Sequence, residues 1–188
     1  MAEITAPPQE KLITGEELYR MPDVNPCELI DGRIVPISPT GSRHGIIEGN
    51  FFEAIKGFVR QHKLGKAQSG EVGIFTRRNP DRVRAADVLF ISNERYAQLK
   101  DREGYLDVAP ELVVEILSPD DTVQKMTQKL REYFAVGVRL VWVADPDARV
   151  VYAYRSLTDV REFKDEATLM GDDVLPGFEV PVASLFEE

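Results

Sequence analysis

Cys27 is the only cysteine in 188 residues, so neither an internal disulfide nor a cysteine-based zinc site can form. Runs of lysine or arginine are missing too. The 23 basic residues are scattered among 32 acidic ones, and the formal charge is −9. The chain therefore lacks the broad basic face that grips nucleic acid, although net charge governs solubility and steering rather than the field inside a cleft. No apolar stretch approaches the thickness of a bilayer. The opening Met1-Ala-Glu-Ile-Thr-Ala-Pro-Pro has neither the basic start nor the apolar centre of a signal peptide, and a cytoplasmic protein is expected. Internal repeats, linkers and low-complexity blocks are absent. The remaining composition, 43% hydrophobic and 29% charged, is that of a globular domain large enough to build its core without staples.

Local signals give the element order. Residues up to Ile13 read as a flexible, proline-containing arm, and 14–188 as one domain. Thr14-Gly-Glu-Glu17 is a capping box opening a short helix to Arg20. Asp31-Gly32 predicts a tight hairpin turn between Cys27–Ile30 and Arg33–Val35. Apolar spacing predicts helices over 44–62 and 122–136, the second closed by Gly137 and begun by Asp120, Asp121 or Thr122. Strands are expected over 67–76, 83–91, 110–117, 139–144 and 149–155, with a short helix over 93–100. Two further β segments, 160–163 and 166–169, precede a C-terminal turn at 182–186.

One stretch organises the chain: Pro110-Glu-Leu-Val-Val-Glu115-Ile-Leu-Ser-Pro119. Its continuous apolar residues suit a central strand covered on both faces. Glu115 lies in the middle, and a carboxylate there is costly unless a cation or N–H donors meet it. Asp87, within Val83-Arg-Ala-Ala-Asp-Val-Leu-Phe-Ile91, is in the same predicament. Two carboxylates on neighbouring strands, with the Ile116 carbonyl as a third oxygen, can hold a hard divalent cation such as Mg2+ or Mn2+. Such an ion activates water and offsets phosphoryl charge, which phosphodiester hydrolysis requires. His44 and Glu48, four apart, share one helix face; on spacing alone such a pair is more often a surface pair than a site. By pattern alone, Glu28 reads as an exposed acid on an edge strand and Lys129 as a solvated helix lysine.

The succession Glu28-Leu-Ile-Asp-Gly, His44, Ala86-Asp87-Val, the Pro110–Pro119 stretch, Lys129-x-x-x-Tyr133-x-x-x-Gly137-Val, Trp142 and Asp145-Pro resembles the Uma-type putative restriction endonuclease family, within the PD-(D/E)xK nuclease superfamily. The likeness runs from about Thr14 to Phe186. It implies an α/β (α+β) fold with a restriction-endonuclease-like αβββαβ core. It also implies a magnesium-type site and cleavage of DNA phosphodiesters. Asp87 and Glu115 match the family acids, and Glu28 and His44 match polar positions, with Glu48 a weaker candidate. Two departures stand out: Ala86 replaces the motif proline, and Leu117 stands where the superfamily carries its lysine. The resemblance moves that lysine to Lys129 on the following helix, with Lys125 one turn earlier as the fallback.

Two readings remain open: a metal-dependent endonuclease acting on DNA, or a weakly active or inactive module of the same fold that binds DNA or a protein partner. A nucleotide or RNA phosphodiesterase is a distant third. An acidic nuclease needs a local basic rim, and Arg43, Arg77, Arg78, Arg82 and Arg84 are the candidates. A homodimer is compatible with this reading, since enzymes that cut both strands often pair two sites.

Overall fold

The computed structural model describes residues 11–188 apart from 23, 25, 120 and 165. The expected flexible arm therefore lies almost wholly outside the described residues, as does Asp120. Of the arm's last residues, Ile13 donates its N–H to the Gly32 carbonyl at 2.9 Å.

The capping box forms: Thr14 Oγ1 accepts the Glu17 N–H, and Glu17 returns a bond to the Thr14 N–H, opening α1 (Gly15–Tyr19). β1 (Cys27–Ile30) and β2 (Arg33–Pro36) make the hairpin. Its turn residues Asp31 and Gly32 both adopt positive φ, 55° and 75°. The long helix α2 (Ser42–Gln61) buries Ile47, Phe51, Ile55 and Val59 on one stripe. β3 (Gly65–Arg77) and β4 (Arg82–Ser92) are antiparallel, and α3 (Asn93–Ala97) follows with Ser92 as its cap.

β5 (Leu112–Ile116) is the organising stretch, buried at all five positions. Thr122 caps α4 (Val123–Val136), and Gly137 ends it in the left-handed conformation at φ 101°. β6 (Leu140–Asp145), β7 (Val150–Tyr154) and β8 (Val160–Lys164) complete the main sheet. β9 (Thr168–Met170) and β10 (Glu179–Pro181) form a separate ribbon before α5 (Val182–Leu185). The sequence reading included β9 but not β10, which is three residues long and has only one half-buried position.

The sheet runs β2-β1-β4-β5-β6-β7-β8, with β3 also on β4. All its pairings are antiparallel except β5 with β6, as a crossover through α4 requires. With the short α3 set between β4 and β5, the order α2-β3-β4-β5-α4-β6 is the expected αβββαβ core. On one face, Val88, Phe90, Leu112, Val114 and Trp142 pack on α2, α5 and the ribbon. On the other, Leu89, Ile91, Val113 and Val141 pack on Met126, Leu130 and Tyr133 of α4. Strand alternation therefore sends Val113 and Glu115 toward a helix rather than toward solvent. Among the described residues, no helix is long and apolar enough to cross a membrane.

Candidate active site

The site sits at a fork in the sheet. β3 occupies one edge of β4 along its length. The other edge is divided: β5 pairs with Val88–Phe90, and β1 pairs at Val83. Between those pairings, main-chain groups are freed from the ladder and must find other partners. They find the candidate site residues. Asp87 Oδ2 accepts the Ile116 N–H at 2.6 Å. Glu28 Oε1 accepts the Ala85 N–H at 3.2 Å, and Lys129 Nζ donates to the Ala85 carbonyl at 3.4 Å. The divided edge is thus what fixes the polar side chains.

Asp87 and Glu115 are each the residue just beyond Val88–Val114, where the β4–β5 pairing ends. Glu115 is buried and both its oxygens are engaged. Lys129 Nζ is 2.7 Å from Oε2, and the Tyr133 hydroxyl donates to Oε1 at 2.5 Å. Lys129 and Tyr133 are four apart on α4, so one helix face delivers both donors. Burial, reinforced by the Asp87 charge, pushes the Glu115 carboxyl up to about 7 against the pull of Lys129. Burial works against the Lys129 ammonium, but Glu115, Glu28 and Asp87 outweigh it and hold its pKa above the ordinary lysine value. Lys129 stays a cation. Lys125, one turn earlier, is exposed.

His44 enters from the first turn of α2. Its Nε2 is 3.1 Å from the Ile116 carbonyl and 3.5 Å from Asp87 Oδ2, two acceptors that place the proton on Nε2. The bond to Asp87 raises the His44 pKa despite burial. Its Nδ1 is buried and has no partner among the described residues. Glu48 accepts the Gly70 N–H at 2.9 Å, tying α2 to the bulge in β3, and burial raises its pKa.

Glu28 is not the exposed edge acid that its pattern suggested. β1 lies between β2 and β4, and Glu28 is buried, with Arg84 at 2.6 Å and Lys129 at 3.5 Å. Behind it, Arg84 Nε meets Glu132 at 2.5 Å, and Arg82 bridges Glu132 to Asp31. Every arginine of the proposed basic rim is engaged by an acid. The Arg82 and Arg84 side chains are each only 11% exposed, held among carboxylates from β1, α4 and the Asp31 turn. Arg77 pairs with Asp31. Arg78 pairs with Glu16 at 2.8 Å and with Asp81 at 3.0 Å. Arg43 is half-exposed and binds Asp147 at 2.9 Å and Glu188 at 3.1 Å. Arg77, Arg82 and Arg84 are linked through Asp31 and Glu132, and Arg43 lies apart from these acids on Asp147 and Glu188.

The structure thus gathers Asp87, Glu115, Ile116, Lys129, Glu28 and His44 at one place and turns the candidate arginines onto acids. Two participants went unassigned in the sequence. Tyr133 reads as a core aromatic, although its i+4 spacing from Lys129 carried the signal. Glu132 was hidden on a helix face whose arginine partners lie on β4. Among the described residues, no three His, Cys, Asp or Glu side chains group closely enough to cage a metal. Two hard carboxylates beside a carbonyl are nonetheless the donor chemistry of a magnesium-type ion, which uses one or two carboxylates and completes its shell with water and phosphate.

No curated protein matches the chain. A family model described as "Uma2: Putative restriction endonuclease" matches residues 16–183. Among solved structures, the chain is similar to a crystal structure from Anabaena variabilis ATCC 29413, described as a putative nuclease belonging to DUF820. Identity is 23%, the TM-score is 0.76, and the match covers 93% of this chain and 97% of that one. At that identity the likeness shows a common fold.

Proposed function

The chain belongs to the Uma2 family of putative restriction endonucleases, and on that premise we propose that it is a divalent-metal-dependent endonuclease hydrolysing DNA phosphodiester bonds. The observation that carries this reading is the meeting, at one sheet fork, of Asp87, Glu115 and the cationic Lys129. Asp87, Glu115 and the Ile116 carbonyl would hold Mg2+ or Mn2+. When bound, such an ion lowers the pKa of a water and offsets phosphoryl charge.

The chain's own groups have separable tasks. Lys129, bonded to Glu115 and close to Glu28, is placed to stabilise charge on a phosphoryl oxygen. Glu115 and the Ala85 carbonyl aim its amine, while Tyr133 holds the second Glu115 oxygen. Arg84 orients Glu28, which adds a second anion beside Lys129. His44 bridges Asp87 and the Ile116 carbonyl, so it positions the strand ends that present both ligands.

The test is plasmid nicking across a magnesium and manganese titration, with Asp87→Ala as the control. Metal-dependent nicking that disappears in Asp87→Ala is expected. Equal nicking by Asp87→Ala would remove Asp87 from the site, and failure to nick with either metal would leave an inactive module of this fold.

A further inference from the structure

The strongest unassigned feature lies at the other end of α2. Lys56, Arg60, Lys63 and Lys66 are all exposed and, with Asn93, line a groove of about 450 Å³. None of the four pairs with a carboxylate among the described residues, whereas the arginines of the catalytic end are engaged by acids. Lys56 lies 4.8 Å from the Phe52 ring centroid, and Lys66 lies 5.9 Å from that of Tyr96. Arg60 is explained by the helix C-terminus, where a cation suits the dipole. Lys56, a turn earlier, and Lys66, on β3, are not.

The solvent face of α2 adds a second observation. Gly45, Gly49 and Gly57 lie within this helix, and a Cβ at any of them would meet nothing within 4 Å. Packing does not require these glycines, yet each costs about 1 kcal/mol of helix stability relative to alanine. Gly45, Gly49, Lys56 and Arg60 fall on one stripe at 100° per residue, running from the turn that holds His44 to the basic groove. A bare helix face ending in unpaired cations suits close approach of an extended polyanion.

The geometry points to a phosphate-backbone anchor for duplex DNA at Lys56, Arg60, Lys63 and Lys66, remote from the catalytic fork. It rests on the endonuclease reading for the identity of the polyanion. The sixteen steps from His44 to Arg60 span about 24 Å at roughly 1.5 Å each, or about seven base pairs at 3.4 Å. A duplex laid along α2 would run from the turn that holds His44 at one end to the anchor at the other. This placement reconciles an acidic chain with an anionic substrate, since the local field rather than the net charge does the steering. Glu53 is the one acid on the stripe, and it opposes the anchor.

The experiment measures binding of a labelled duplex in EDTA across a salt series, by fluorescence anisotropy, with plasmid nicking in magnesium run separately. Three variants are compared with wild type: Lys56→Gln with Arg60→Gln, Arg20→Gln with Arg131→Gln as an equal charge loss elsewhere, and Glu53→Gln. Each lost phosphate contact lowers the salt slope by about 0.9 log units, so the patch pair should lose about 1.8. The control pair should keep the wild-type slope, and Glu53→Gln should bind more tightly. Equal slopes for the two pairs would overturn the anchor while leaving nicking, and the catalytic reading, intact. Patch-dependent binding by a protein that never nicks would uphold the anchor and sink the catalytic reading. No binding at any salt would overturn the anchor.

Discussion

Lys129 Nζ reaches Glu115 Oε2 at 2.7 Å from a helix, not from the strand that carries the acid. Leu117, two residues after Glu115, is partly buried against the α4-side core, so the slot a strand lysine would take is apolar. The cation arrives instead from across the fork.

Replacing Lys129 by methionine keeps the stem and removes the charge. Nicking should fall about 10²- to 10³-fold, the usual effect of removing one preorganised donor to a developing charge. Lys125→Met should change it little, because Lys125 is exposed on the turn before. Single-turnover nicking of both variants at saturating metal decides the matter, and the reverse ranking would put the active amine at Lys125.

Tyr133→Phe removes only the hydroxyl that donates to Glu115 Oε1. The carboxylate then keeps a single donor in a buried place. A hydrogen bond to a charged group contributes about 1.5–3 kcal/mol, so the unfolding free energy read from urea denaturation should drop by an amount in that range. A variant as stable as wild type would mean that Glu115 does not depend on this bond.

Much of the fold was legible because its signals are local. Asp31-Gly32 supplies its own positive φ angles, Gly137 ends its own helix, and the apolar run around Glu115 announces a strand covered twice. The two central acids were legible for the same reason, since a carboxylate inside a hydrophobic run is visible without a partner. The arginine network was not. Arg84 meets Glu28 and Glu132 across separations of 56 and 48 residues, and nothing beside Arg84 in the chain says that acids will converge on it. Read locally, Arg82 and Arg84 look like free cations on a strand, and Glu28 looks like a free anion on another. The divided edge of β4 is what turns them inward, and that is a property of the assembled sheet.

Arg84→Met tests the network directly. The substitution takes from Glu28 and Glu132 the cation they share, leaving Glu28 to Lys129 and the Ala85 N–H and Glu132 to Arg82 and Gln128. Breaking a buried pair by removing one partner costs about 3–5 kcal/mol. Urea unfolding should show a loss of that size with the slope unchanged. Arg78→Met serves as the contrast. Its ion pairs are half-exposed, and a loss of at most about 1 kcal/mol is expected there. Similar losses for both would show that burial at Arg84 carries no special weight.

The acid limb of the stability curve should report Glu132. Burial raises its pKa, but the bonds from Arg84 and Gln128 and the charges of Arg84 and Arg82 prevail, so the folded value lies below the ordinary one. A carboxyl depressed on folding contributes stability that is fully present above its unfolded pKa, near 4.5. That contribution is lost as pH falls through the depressed value, because the unfolded chain then binds a proton the folded chain refuses. Glu132→Gln should remove this part of the pH dependence. It should also leave Arg82 and Arg84 without their shared acid, so the variant starts less stable at pH 7. Urea midpoints for both proteins between about pH 7 and pH 3 should therefore converge as pH falls, since wild type loses on the way down what the variant has already lost. Parallel curves would show that Glu132 titrates alike in the folded and unfolded chains, and that the two arginines hold it no more tightly than water does.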